Sequence, residues 1–136
     1  MTGQSASIPW DELIWDAEPF RVTFAVESRG CTVATVVGEI DACTLADLRA
    51  AFRERPGDES GALVVDLSRV SFCSAAGLRL LLELLDQAIL AGAPFALVFG
   101  SGAVRRPLEV LGFADRFPSY PDRATAVAAV CPHLSR

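Results

Sequence analysis

Few residues in this chain could act as a nucleophile or a proton carrier. The only histidine, His133, lies close to the carboxyl terminus, so a Ser–His–Asp relay has no base in the body of the chain. All twelve basic residues are arginine, and the absence of lysine removes Schiff-base catalysis and the phosphate-binding lysine of a P-loop. Cys31, Cys43, Cys73 and Cys131 form no CxxC pair, and with one histidine they write no zinc site of ordinary spacing. They are expected as free thiols of a reducing cytoplasm. Glu39 and Asp41 are near neighbours but read as loop acids after a strand. Gly100-Ser101-Gly102 follows a strand and precedes a helix, yet lacks the GxGxxG spacing and reads as a turn. Arg105-Arg106 reads as a solvated helix face. There remains Ser74, at the start of a leucine-rich helix, where unpaired N–H groups and the helix dipole favour negative charge, phosphate included. This inventory favours a binding module over an enzyme, with no metal and no cofactor.

Composition narrows the class further. At 136 residues the chain suits one domain, with a core that needs no metal or disulfide staple. Hydrophobic residues make up 51% and charged ones 21%, which excludes an intrinsically disordered chain. The net charge of −5 comes without a basic cluster, which argues against nucleic-acid binding, whose affinity derives largely from phosphate neutralisation. The first residues carry no basic n-region and no apolar h-region, so no secretory signal is expected. No apolar run approaches the roughly 20 residues of a membrane span. A soluble, cytoplasmic protein without membrane insertion is expected; monomers and dimers would share the pattern.

The elements that must position Ser74 can be read in order. Residues 1–18 read as an N-terminal extension, with Ile8, Trp10, Leu13 and Ile14 able to form a short apolar face. Phe20–Glu27 alternates apolar and polar residues, and Cys31–Val37 is rich in β-branched residues, so the two predict a hairpin turning at Ser28–Gly30. Gly38–Asp41 then leads out of the sheet. Thr44 followed by Asp47 resembles a capping box opening a helix over 45–55, with Leu45, Leu48, Ala51 and Phe52 on one face and Pro56-Gly57 ending it. Ala62–Val65 predicts a buried strand ended by Asp66, and a turn through Ser68–Ser74. The helix that follows puts Leu78, Leu81, Leu82, Leu85 and Ile89 on one stripe. A strand over 95–99, a short helix ended by Gly112, an edge strand near Phe117–Pro121 and a last amphipathic helix complete the chain. Strands alternating with helices after a hairpin predict a single α/β domain with a mixed sheet and about four flanking helices.

Four stretches, in order, resemble the STAS domain family, most closely the small bacterial anti-sigma factor antagonists. Gly38-Glu39-Ile40-Asp41 is similar to the family's GEID signature, and Val65-Asp66-Leu67-Ser68 with Val70 and Phe72 to its DLS-x-V-x-F segment. Ser74-Ala75-Ala76-Gly77-Leu78 stands where the family carries its D-S-x-G-L motif. Leu108, Leu111-Gly112-Phe113 and Phe117 are similar to its L-x-x-x-G-F-x-x-x-F ending. The resemblance spans about residues 20–130 and implies a STAS domain over 19–131, with a C-terminal tail over 132–136. It further implies a mixed sheet with helices mainly on one face, and a non-enzymatic regulator. Such a regulator docks on an anti-sigma factor, a serine kinase of the histidine-kinase-like ATPase type, and so releases a sigma factor. The kinase ends the complex by phosphorylating a serine at the start of the second helix.

At that position this sequence departs from the pattern. Counting from Gly77-Leu78, the phosphoacceptor falls on Ala75, which has no hydroxyl and cannot be phosphorylated. Ser74, where the family usually carries an acid, reads as the helix N-cap, with a displaced phosphosite there as the alternative; Ser71 is a weaker one. The implied partner-binding surface comprises Asp41, Ser74, Ala75, Ala76 and Gly77, with Arg79 and Glu83 on the exposed side of the helix. Two other classes of function stay open at this point. One is the STAS subunit of a lipid-transport ABC system; the other is a small-ligand or nucleotide-sensing module using the GSG turn and Arg105-Arg106.

Overall fold

The computed structural model describes residues 18–28, 30–57, 61–100 and 102–131. The expected apolar face at Ile8–Ile14, the tail with His133, and Ser101 lie outside the described residues.

The chain begins as the expected hairpin. Strand β1 (Arg21–Ser28) pairs antiparallel with β2 (Cys31–Ile40), and Gly30 supplies the positive φ of 78° that the turn between them requires. Helix α1 (Leu45–Arg53) then crosses to β3 (Ala62–Cys73), which lies parallel to β2. Helix α2 (Ala75–Ala91) leads to β4 (Phe95–Val98), and α3 (Gly102–Leu111) leads through a 3-10 turn at Ala114–Arg116 to β5 (Ser119–Tyr120). Helix α4 (Arg123–Val130) closes the described chain. The sheet has five strands in the order β1-β2-β3-β4-β5, antiparallel at the hairpin and parallel elsewhere. Each parallel neighbour follows its predecessor through a helical crossover, as parallel pairing demands.

The strands' alternation sorts the helices onto two faces. Ala34, Val36, Leu63, Val65, Leu67 and Leu97 point into one core with Leu48 and Phe52 of α1, Leu81 and Leu85 of α2, and Leu108 of α3. Val33, Val64, Ala96 and Val98 point the other way, onto Ala126 of α4. Three helices therefore cover one face and one the other, in keeping with the expected helices mainly on one side. Burial of each large side chain in the main core contributes on the order of 1.5–3 kcal/mol. An edge-to-face contact between Phe24 and Phe52, centroids 5.7 Å apart, ties β1 to α1.

Several local expectations are corrected. Strand β3 does not end at Asp66 but runs twelve residues, to Cys73. The Asp66 carboxylate is buried, yet it accepts from the Ser68 amide (3.0 Å) and the Ser68 hydroxyl (2.7 Å). A polar group satisfied locally does not need to leave the sheet. Likewise Gly38–Ile40 stays in β2, pairing with Val70, Phe72 and Cys73. Register shifts near Thr35–Val37 and Gly38–Glu39 absorb the extra residues of the partner strand. Gly38 has φ 105°, and a Cβ there would stand 2.9 Å from the Cα of Phe20. On α2, Leu80, Leu84 and Ala88 join Leu78, Leu81 and Leu85 in the core, whereas Ile89 is 62% exposed, outside the stripe assigned to it. Finally, Cys31 and Cys131 are joined by a disulfide, so only Cys43 and Cys73 are free thiols.

Candidate functional site

The residues singled out around Ser74 converge at the carboxyl ends of β2 and β3. Where β3 ends, the Ser74 amide donates to the Ile40 carbonyl at 2.8 Å, so the last residue of β2 fixes the first residue of the turn. Ser74 has the extended backbone of an N-cap (φ −74°, ψ 169°), and its Oγ accepts from the Gly77 amide at 3.2 Å. The N-cap expectation holds. Replacing Ser74 by alanine is expected to cost about 1 kcal/mol, read as a lower denaturant midpoint with unchanged slope.

The Asp41 loop lies beside this turn. One carboxylate oxygen of Asp41 accepts from the amides of Cys43 (2.9 Å) and Thr44 (3.1 Å). Thr44 occupies the N-cap position of α1 but makes no side-chain cap bond. Its hydroxyl instead donates to the Glu39 carbonyl (2.8 Å) and accepts from the Asp41 amide (3.0 Å). The capping-box reading is therefore corrected: Thr44 and Asp41 cross-brace the loop because β2 ends within reach of both.

Gly77 faces inward. A Cβ there would meet Ile40 Cγ2 at 2.6 Å and Cys73 Sγ at 2.8 Å, so the absent side chain lets α2 sit down on the strand ends. Burial pushes the Cys73 thiol up to about 12, which leaves it protonated and unreactive. By contrast Ala75, Ala76 and Arg79 are exposed, and Glu83 is half-buried in an ion pair with Arg49 of α1 at 2.7 Å. Beside them Phe72 is 49% exposed on β3, opposite the exposed Glu39 of β2. Phe72, Cys43 and Arg49 were not singled out as site residues. Phe72 carried a signal, an aromatic at the third position after Arg69 in a segment whose inward residues are Val70 and Cys73. Reading Ser68–Ser74 as a turn hid it, and the register shift after Val70, which leaves Ser71 and Phe72 both exposed, has no local signal.

The site can offer a small, flat, mostly uncharged turn flanked by an aromatic ring and an arginine. It holds no group able to act as acid, base or nucleophile in concert. Among the described residues no cluster of three or more His, Cys, Asp or Glu side chains could hold a metal ion. The other sequence features are elsewhere. Gly100 and Gly102 line an open cavity of about 550 Å³ with Arg105, Arg106 and Tyr120, and Arg105 is paired with Glu109 at 3.2 Å. No described helix is long and apolar enough to cross a membrane.

Comparison with known proteins agrees with this arrangement. Residues 24–126 match the STAS domain family. The chain is 34% identical over 100 residues to the anti-sigma-F factor antagonist RsfB of Mycobacterium tuberculosis, covering 73% of this chain and 81% of the relative. Its fold is similar to the crystal structure of an anti-sigma factor antagonist from Mycobacterium paratuberculosis, with a TM-score of 0.71 and 34% identity over 84% of this chain and 97% of that one. The unphosphorylated anti-sigma factor antagonist SpoIIAA shares the fold at 17% identity, with a TM-score of 0.61 over 80% of this chain and 96% of the other. From strand order to turn, and from turn to relatives, the conclusion is the same: this chain belongs to the STAS domain family.

Proposed function

We propose that the protein is an anti-sigma factor antagonist. It works in the cytoplasm without chemistry of its own, docking on an anti-sigma factor so that a sigma factor is released. The observation that carries this reading is the 34% identity over 100 residues to a relative named for that role. The partner we assign is a serine kinase of the histidine-kinase-like ATPase type. Residues 19–131 form the docking domain, flanked by an extension at 1–18 and a tail at 132–136.

The docking surface is the Asp41 loop, the Ser74–Gly77 turn and the exposed side of α2 at Arg79 and Glu83. Within it, Ala75, Ala76 and Arg79 are available for contact, whereas Asp41, Ser74 and Gly77 hold the turn in place. Ala75 takes the place of the phosphoacceptor, so the surface stays in its binding-competent form when the kinase is active. Phosphate at Ser74 would occupy the oxygen that caps α2, which makes it a poor substitute site.

Titration calorimetry against each kinase-type anti-sigma factor of the host tests the reading. At least one is expected to bind with micromolar or tighter affinity and to leave residue 75 unmodified after incubation with ATP. Failure of all of them to bind overturns it.

A further inference from the structure

The last residue described, Cys131, meets the first residue of β2, although 100 positions separate them. The Cα atoms of Cys31 and Cys131 are 5.6 Å apart, inside the 4.4–6.8 Å window in which two backbones accept a disulfide without moving. Both side chains are buried, enclosed by Ala62, Val127 and Val130. The bridge holds the carboxyl end of α4. Its amino end is held separately, by the Asp122 cap on Thr125 (2.8 Å) and by Arg123 reaching Glu27 (3.5 Å) and Thr35 (3.4 Å).

The geometry points to Cys31 and Cys131 as a reversible modification site, a thiol pair that a low-molecular-weight disulfide closes into a clasp on α4. This inference rests on the cytoplasmic reading given above. In a reducing compartment, a disulfide that forms is usually transient and redox-sensing. The remaining thiols do not compete for Cys31: Cys73 is protonated and buried under the turn, and Cys43 is in the Asp41 loop at the opposite end of β2.

Closure balances as two thiol–disulfide exchanges. One thiolate of the pair attacks a sulfur of oxidised glutathione, forming a mixed disulfide and expelling one glutathione thiolate. The second thiolate attacks the protein sulfur of that mixed disulfide, expelling the other. Two electrons pass to oxidised glutathione, and the two thiol protons end on the two reduced glutathione molecules. Because both sulfurs are buried, the reaction proceeds when the last turn of α4 opens, and closure then prevents further opening. In the reduced form α4 keeps its amino-end contacts and frays from Val130.

The test uses the whole chain in glutathione buffers, with alkylation and mass spectrometry to count thiols. With alkylation carried out after acid quench and denaturation, two free thiols are expected in oxidised glutathione, Cys43 and Cys73, and all four at a cytosolic glutathione poise. The thermal midpoint is expected to be about 10 °C higher in the oxidised buffer. Cys131→Ser should lose this difference, and Cys43→Ser should keep it. Four reactive thiols in oxidised glutathione, a bridge mapped to Cys43, equal midpoints in both buffers, or a bridge that stays closed at the cytosolic poise would each overturn the proposal. The thiol count needs no partner, so a failure here is distinct from a failure to bind an anti-sigma factor.

Discussion

Replacing Ala75 by glutamate is expected to weaken anti-sigma factor binding by roughly a hundredfold, about 3 kcal/mol, while leaving the domain as stable as before or slightly more so. The two effects have opposite signs for one reason, the position of residue 75. It is the first residue of α2, and the first turn of that helix contains no acid. A carboxylate there meets the positive end of the helix dipole, which stabilises a helix by about 0.3–1 kcal/mol. Ala75 is exposed, so the longer side chain has room. At the proposed interface the same charge has to shed its water, and the dipole of one helix compensates only part of that cost. Calorimetry for binding and a thermal melt for stability, run on one preparation, separate the two. Loss of both together would mean that the variant had unfolded the turn; retention of binding would remove Ala75 from the interface. Ala75→Ser provides the complementary case. It should bind as the native chain does, and should release the partner once kinase and ATP add a phosphate carrying roughly −1.5 to −2 charges.

The second large effect concerns the GSG turn. Gly100→Ala is expected to destabilise the domain by about 3 kcal/mol, and Gly112→Ala by only about 1 kcal/mol. Both glycines have positive φ, 68° and 81° respectively, so both substitutions meet the same backbone strain. They differ in surroundings. A Cβ on Gly100 would press against Cβ of Ser68 and lie 2.7 Å from its Cα, whereas one on Gly112 has nothing within 4 Å. Ser68 cannot retreat, because it holds the buried Asp66 carboxylate through both its amide and its hydroxyl. Urea unfolding of the two variants measures the gap, and equal losses would show that the close approach to β3 is not a constraint. Gly100 is thus explained by packing of the chain leaving β4 against β3. No phosphate-binding role is needed to account for it.

Much of this architecture was legible because it is written in local patterns. The alternation of Phe20–Glu27, the helical spacing of Leu78, Leu81 and Leu85, and the glycine stop at Gly112 each report on their own element. The N-cap at Ser74 was legible for the same reason, since the donor it accepts from is three residues away. What escaped depends on neighbours distant in sequence. Asp66 and Arg69 look like the end of a strand. They remain in β3 because Ser68 satisfies the first and the second pairs with Glu18. Thr44 has the residue type of a cap, but the carbonyl of Glu39 lies within reach and takes its hydroxyl instead. The bridge from Cys31 to Cys131 follows from α4 folding back over the sheet, which no spacing of four cysteines encodes. Of the seven residues proposed for docking, the sequence does not distinguish those that are displayed, such as Ala75 and Arg79, from those, such as Gly77, that are buried to make the display possible.

The bond from Ser74 to Ile40 ties display of the turn to the register of the two central strands. Side chains along a strand alternate between faces, so a slip of β3 by one residue past β2 would turn Phe72 into the core and Cys73 out of it. The Ser74 amide would then miss the Ile40 carbonyl, and α2 would start in the wrong place. The Ala75 turn is therefore presented in this form only when the central strands have paired in the correct register. On the docking surface proposed above, a partner that reads this turn would select copies in the correct register with no separate inspection step.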